Sequence, residues 1–376
     1  MEQYYKKFLE ENRYPRQLKS LERFQGFNFS SSDYLNLANH PLLIQRSHEF
    51  AKRYGVGTSS SRLVTGNLPI FTEIEEKLAI ALNKPAALIF GTGYQTNVSV
   101  LEALLDPKIL GVKPKVYCDR LCHISLMKSP FTLSDMIRFH HNDLNHLESL
   151  LKKDITSYAP KFIIVESVYS MDGDQADLSS LIQLAKQYQA FLYVDDAHST
   201  GLLGKSGWGS ATDFSSDIPL IMGTFSKALG SFGGYVGCSQ TLRDFFINKC
   251  KGLIYSTGLP PAILGAISAS IELMPALDLE RDKVFRHAKK VREFFINNRL
   301  DCGTSSTHII PWIIGDSKKT VIASQYLLEE GIIGTAIQPP TVPANRCRIR
   351  FCLSARHTDQ EIDYLLKTIQ KVAKSL

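Results

Sequence analysis

The 376-residue sequence contains no run approaching the roughly 20 apolar residues of a membrane span, and its opening, MEQYYKKFLEENRY, lacks the apolar stretch of a signal peptide. Its seven cysteines form no CxxC pair and lie scattered, several in apolar context such as Cys238 and Cys352. That pattern argues against a disulfide framework and for buried, reduced thiols. There is no dense Lys/Arg tail, no zinc-finger spacing, no internal repeat and no low-complexity linker. With 43 basic and 37 acidic residues the net charge is +6, a mild excess that suits anionic small molecules at least as well as nucleic acid. A soluble cytoplasmic protein with neither nucleic-acid nor membrane partners is expected.

What the sequence does have is bulk: 44% hydrophobic residues, enough for a substantial core and about two domains. Short apolar runs recur between helical patterns at Ala86 to Phe90, Lys115 to Cys118, Met136 to Phe139, Lys161 to Glu166, Ala190 to Asp195, Leu220 to Gly223 and Gly234 to Cys238. Their continuous apolar character predicts seven strands of a mostly parallel sheet covered on both faces. Asn97 to Leu105 and Leu178 to Tyr188 carry helical spacing. Beyond about residue 265 the texture changes to longer helices, Arg281 to Asn298, Lys319 to Glu330 and Asp359 to Lys374, with short strands near His308 to Ile314 and Cys347 to Leu353. The expected organisation is an N-terminal arm (1–45), a large α/β domain (46–265) and a small C-terminal α+β domain (266–376). A ligand site is expected where the domains meet, outside the carboxyl ends of the strands.

Five polar clusters fall at those strand ends. Gly223 to Gly230 places Lys227 in a tight loop with Thr224 and Ser226, and a lysine amine is the group that forms a Schiff base with an aldehyde cofactor. An exposed loop lysine is the plain alternative. Val194 to Gly201 offers Asp195, which beside a bound pyridine ring keeps the ring nitrogen protonated, and His198, within reach of a ring hydroxyl. Metal binding by Asp195, Asp196 and His198 is the rival reading, although no further ligand cluster is visible. Phe90 to Asn97, with Gly93 and Tyr94, joins a strand to a helix and makes an anion site. Its spacing is neither GxGxxG nor a Walker motif, so nucleotide readings are weak, and a plain glycine turn is the alternative. Asp119 to Ser125 presents His123, and Glu166 to Asp174 presents Glu166 and Ser170; a structural histidine and an ordinary turn are the bland readings of these two. One shared ligand explains five such coincidences better than five separate causes.

The segments DDAHSTG, GTFSKALG, ESVYSMDGD, LIYSTGLPP and IQPPTVPANRCRIRFCLSARHT occur in order, and by them the chain resembles the α-oxoamine synthase family of pyridoxal phosphate enzymes, fold type I. The likeness extends from about Phe27 to the end. It implies pyridoxal 5'-phosphate as cofactor, no metal, and decarboxylative condensation of a small amino acid with an acyl thioester of coenzyme A or a carrier protein. The nearest branch joins L-alanine to a pimeloyl group. The resemblance implies catalytic roles for Lys227, His123, Asp195 and His198, with Lys227 as the Schiff-base lysine. Cofactor contacts are implied for Gly93, Tyr94, His123, Glu166, Ser170, Asp195, His198, Thr224, Lys227 and Thr257. The segment around Thr257 is similar to one that reaches the phosphate across a subunit boundary, which implies a homodimer with active sites at its interface. Substrate contacts are implied for His123, Thr341, Arg350 and, in the N-terminal arm, Arg13, with Arg16 as the alternative.

The chain departs from the family pattern at Ser31 to Asn36, where relatives read SNDYLG, at Thr58 to Arg62, at Phe71 and at Asp106 to Pro114. These places border the substrate entrance and bear on the acyl partner more than on the cofactor. Related amino-ketone synthases, such as a glycine C-acetyltransferase or a synthase of long-chain signals, would share every cofactor residue. A scaffold that kept the fold and lost the chemistry is the reading from another class, and the retained lysine, aspartate, histidine and arginine speak against it.

Overall fold

In the computed structural model, which describes residues 1–11 and 26–376, the Val-, Ile- and Phe-rich runs form strands because such side chains pack well on a sheet covered from both sides. Chain order gives β1 (Phe27–Asn28), β2 (Ala86–Phe90), β3 (Lys115–Asp119), β4 (Asp135–Phe139), β5 (Lys161–Glu166) and β6 (Ala190–Asp195). It continues with β7 (Leu220–Thr224), β8 (Gly234–Cys238), β9 (Ile309–Gly315), β10 (Ile332–Ile333), β11 (Thr335–Ile337) and β12 (Cys347–Cys352). Strands β2 to β8 make a seven-stranded sheet in the order β2-β8-β7-β6-β5-β3-β4. Only β8 runs against its neighbours, β2 and β7; the remaining pairs are parallel. Two reversals cancel, so β2 points the same way as β7, and the carboxyl ends of β2, β3, β5, β6 and β7 share one edge.

Alternate residues along each strand feed two different cores. Val116, Phe162, Ile164 and Tyr193 pack on one face, and Tyr117, Ile163, Val165 and Leu192 on the other, the two-residue period of a sheet buried on both sides. The C-terminal part is an antiparallel sheet, β11-β12-β9, backed by the helices Asp278–Asn297, Ser317–Glu329 and Asp359–Ser375. Thr358 caps the last of these in a reciprocal capping box with Glu361, a device that contributes on the order of 1 kcal/mol.

Both expected domain borders fall inside helices. Residue 45 lies within Pro41–Tyr54 and residue 265 within Pro261–Leu273, and these helices pack closely on each other, with Gly265 against the Arg46 carbonyl. β1 pairs in parallel with β10, Phe27 opposite Ile332, and the Phe29, Asp33 and Tyr34 carbonyls accept from Cys352, Ser354 and Ala355, so residues 27–34 are stitched into the C-terminal part. All seven cysteines are free thiols. Among the described residues no single helix is long and apolar enough to cross a membrane.

Candidate active site

The five strand-end loops close around one cavity of about 370 Å³. Gly93, Tyr94, His123, Glu166 and Ser170 line it, and so do Asp195, His198, Thr224, Lys227 and Arg350. Ten residues named from the sequence therefore meet at one place.

One wall is the start of the helix Gly93–Leu104, whose Thr92 N-cap accepts from Gln95 N–H at 3.0 Å. Free N–H groups and the helix dipole make this start a place for an anion such as a phosphate. The helix can approach the sheet edge because position 234 is glycine: a Cβ there would stand 2.4 Å from Thr96 Oγ1 and 2.9 Å from Gly93 Cα. Thr224 Oγ1 donates to the Gly233 carbonyl at 2.7 Å, which fixes the loop that carries Lys227. Gly201 holds the neighbouring loop. It sits at φ 97, and a Cβ on it would lie 2.2 Å from that of Ala228.

Asp195 ends β6 and is held from two sides. Its Oδ1 accepts from Ala197 N–H at 3.0 Å and its Oδ2 from Asn97 Nδ2 at 2.7 Å. The Asn97 amide also donates to Ser125 Oγ at 2.9 Å and accepts from Tyr193 Oη at 2.7 Å. Ser125 in turn bonds His123 Nδ1 at 2.7 Å, so one network fixes both the aspartate and the histidine. Asp196 is different. Its carboxylate turns away to the Ser167 hydroxyl and the Ala211 N–H, so the three groups of the metal reading do not converge.

While the Lys227 carbonyl accepts from Gly230 N–H at 2.9 Å, the Lys227 amine has no hydrogen bond or ion pair among the described residues. Burial draws its pKa down to about 8, against the opposing pull of Asp195 and Glu166. Glu166 is buried, and its carboxyl accepts from the His123 and Ser170 N–H groups. Burial and the adjacent Asp195 push it up to about 8, against the lowering pull of Lys227 and of those two N–H groups. Burial holds His123 and His198 below the usual imidazole range, with the Lys227 charge acting in the same direction on both. The pocket therefore gathers two imidazoles held toward the neutral form, a carboxyl held toward its acid form and an amine drawn toward its free base.

Arg350 reaches the cavity from β12, and its Nη1 donates to the Ser170 carbonyl at 3.1 Å. Two positions earlier on the same strand, Arg348 is spent on Asp172 at 2.8 Å and the Met171 carbonyl. Of the remaining expected contacts, Thr257 does not line this cavity. It forms a β-bridge with Ser61 and borders a small separate recess with Gly91 and Gln95. Thr341 lies exposed in a turn whose N–H bonds the Gln338 carbonyl, outside the cavity wall. Arg13 and Arg16 fall outside the described residues.

Asn97, Ser125, Tyr34 and Ser32 belong to the site or its immediate support and are not among the residues singled out from the sequence. Asn97 was legible as the last residue of the anion-site segment and the start of an amphipathic helix, with no partner for its side chain in view. Tyr34 was legible only as part of a segment that departs from the family pattern. The donor set as a whole fits pyridoxal phosphate: a helix start for the phosphate, a buried carboxylate for a pyridinium, and an amine of lowered pKa for an aldehyde.

The family model for aminotransferase class I and II matches residues 25–369. A protein of Paramagnetospirillum magneticum, provisionally named an 8-amino-7-oxononanoate synthase, is 47% identical over 91% of this chain and 87% of its own length. The 8-amino-7-oxononanoate synthase of Gluconacetobacter diazotrophicus is 43% identical over 92% and 88%. Among solved structures, a serine palmitoyltransferase of S. paucimobilis with a bound PLP–myriocin adduct superposes with a TM-score of 0.89 at 25% identity, covering 96% of this chain and 92% of that one. The 8-amino-7-oxononanoate synthase of Francisella tularensis shares the fold, with a TM-score of 0.79 at 23% identity over 93% and 98%. With its seven-stranded, mostly parallel sheet and smaller antiparallel C-terminal sheet, the chain belongs to the aminotransferase class I and II family and, within it, to the α-oxoamine synthases, acyl-transferring enzymes of fold type I that use pyridoxal phosphate.

Proposed function

We propose that the chain condenses a small amino acid with an acyl thioester, releasing CO₂ and the free thiol and leaving an α-amino ketone. The observation that carries this reading is the meeting of Lys227, Asp195, His123 and Arg350 in a single cavity. When bound, pyridoxal phosphate supplies an aldehyde for the lysine amine and an electron-withdrawing ring. Lys227 Nζ, neutral in a larger fraction of molecules than an ordinary lysine because its pKa is about 8, removes the Cα proton of the amino acid. Arg350 grips the amino-acid carboxylate, a task that suits a planar guanidinium with parallel donors. Asp195 would pair with the ring nitrogen, His198 and Ser170 would contact the cofactor near its ring hydroxyl, Glu166 would line the cofactor pocket, and His123 would stack on the ring and steady the thioester oxygen as it gains charge. Gly93 and Tyr94 would hold the phosphate at the helix start, joined by Thr257 from a second copy, and Thr224 would contact the cofactor. Arg13, with Arg16 as the alternative, would contact the substrate, and so would Thr341 from outside the cavity wall.

Within this class the first reading is L-alanine with a pimeloyl thioester, giving 8-amino-7-oxononanoate in the biotin pathway. Its support is the name carried by relatives 47% and 43% identical along most of the chain. A second reading, a longer acyl chain, is supported by the higher TM-score to serine palmitoyltransferase, 0.89 against 0.79. A homodimer is supported by apolar side chains left exposed on the chain, among them Val64, Ile124, Phe232 and Tyr255, which a second copy would cover. The experiment is a panel of alanine, glycine and serine against acyl-CoA and acyl-carrier-protein thioesters of graded length, with the product identified by mass. Alanine with the pimeloyl thioester is expected to turn over fastest. A preference for serine with a long chain would favour the second reading, and no amino ketone from any pair would remove the proposed activity.

A further inference from the structure

Behind the cavity wall, Tyr34 is fully buried and its Oη lies 2.8 Å from His198 Nδ1. His198 lines the cavity, whereas Tyr34 is absent from its wall. Burial holds the Tyr34 hydroxyl far above the ordinary phenol range, so it stays an O–H. Among the described residues His198 Nδ1 is the only hydrogen-bond partner of this buried hydroxyl, so the phenol proton has no other acceptor and is donated there. The imidazole itself is neutral. Burial and the charges of Lys227 and Arg350, with His308 and His123 beside them, hold its pKa well below the ordinary value. A neutral imidazole that accepts at one nitrogen carries its proton on the other.

The support behind Tyr34 is specific. The His308 ring meets it edge-on with centroids 4.1 Å apart. His308 is wholly buried, neither of its ring nitrogens has a hydrogen-bond partner among the described residues, and burial drives its pKa down to about 3. It acts as an uncharged wedge. The Tyr34 carbonyl accepts from Ala355 N–H at 2.8 Å, and the preceding Asp33 carbonyl from Ser354 Oγ at 2.7 Å. A phenylalanine would satisfy this packing equally well, so the hydroxyl is the part that packing leaves unexplained.

We propose that Tyr34 is a positioning residue: its hydroxyl fixes the tautomer of His198, so that the imidazole presents Nε2–H, and not a bare nitrogen, to the oxygen of the cofactor ring. This rests on the placement of His198 beside that oxygen given above. A donor there favours the oxygen anion, and its loss leaves the oxygen more basic, so the proton shared with the bound cofactor is kept to higher pH.

The test uses the full chain loaded with pyridoxal phosphate, as wild type, Tyr34→Phe and His198→Ala. ¹⁵N NMR of histidine-labelled protein reads the tautomer directly: wild type is expected to show His198 protonated at Nε2 alone, and Tyr34→Phe to show proton on Nδ1 in part of the population. The midpoint of the visible absorption titration is expected to move to higher pH in Tyr34→Phe and further in His198→Ala. For Tyr34→Phe, kcat is expected to fall roughly tenfold, the worth of one hydrogen bond, with KM for the amino acid within about twofold. An unmoved titration in His198→Ala would show that His198 is not beside the ring oxygen. A shifted titration in His198→Ala, with tautomer and titration both unchanged in Tyr34→Phe, would overturn the role of Tyr34 alone. Should Tyr34→Phe fail to fold, 3-fluorotyrosine at position 34 keeps the shape and strengthens the donor. It is expected to move the midpoint to lower pH, and an unchanged midpoint would overturn the proposal.

Discussion

A carboxylate can serve a ring nitrogen only if its own oxygens are held in place, and here Asn97 does most of the holding. Its amide bonds Asp195, Ser125 and Tyr193 at 2.7, 2.9 and 2.7 Å, using both Nδ2 protons and Oδ1. Asn97→Leu keeps the bulk and deletes all three bonds. Asp195 and, through Ser125, His123 are then free to turn, and kcat/KM is expected to fall by about 10²-fold, the scale of a small misplacement at a reacting centre. Steady-state kinetics on the folded variant measures this, and unaltered kinetics would show that Asp195 needs no help from Asn97. Lys227, Asp195 and His198 were legible in the sequence because each sits in a small-residue loop after an apolar run, where buried charge has few structural excuses. Asn97 was not, because a polar residue inside a helix looks the same whether it faces water or a buried carboxylate. Only the approach of β6 to that helix distinguishes the two.

Elements were legible where one force dominates. The strands at Ala86–Phe90, Lys161–Glu166, Ala190–Asp195 and Gly234–Cys238 have the limits expected from their apolar runs, since burial on both faces leaves no other place for them. The helix expected from Asn97 begins at Gly93, because glycine and threonine conceal a first turn that the Thr92 cap stabilises. The borders expected at 45 and 265 lie within helices for a related reason. Texture changes along the sequence there, but the helices Pro41–Tyr54 and Pro261–Leu273 are continuous and pair with each other. The loop after His198 is secured by a later element: Arg281, buried in the helix Asp278–Asn297, donates to the Gly201 carbonyl at 3.0 Å, the Ser206 carbonyl at 2.9 Å and the Met274 carbonyl. Arg281→Ala strands these acceptors and is expected to destabilise the fold by about 2–4 kcal/mol. Urea denaturation reads the change, and an unchanged midpoint would mean that water replaces the guanidinium without loss.

At the scale of the molecule, the sheet edge and the C-terminal part are joined by a buried ionic strut. His141 Nδ1 lies 3.0 Å from Asp119 at the end of β3, and its Nε2 lies 2.9 Å from Asp174. Asp174 also accepts from Thr304 Oγ1 at 3.1 Å, just ahead of β9. Burial opposes the charge on His141, but the two carboxylates outweigh it and raise its pKa to about 10. A folded-state pKa above the unfolded value means that the stabilisation is complete below pH ~6.5 and is lost as pH rises toward 10. The free energy of unfolding is therefore expected to decline across that window by on the order of a few kcal/mol. In His141→Asn that decline is expected to flatten. Equal slopes in the two proteins would show that the strut does not carry charge at neutral pH.

The account as a whole turns on which side chain carries the cofactor. Borohydride reduction of the loaded protein followed by peptide mapping is expected to find the pyridoxyl group on Lys227, in the peptide Gly223 to Gly230, and to find no label in Lys227→Ala. Label on another residue, or full labelling of Lys227→Ala, would contradict it.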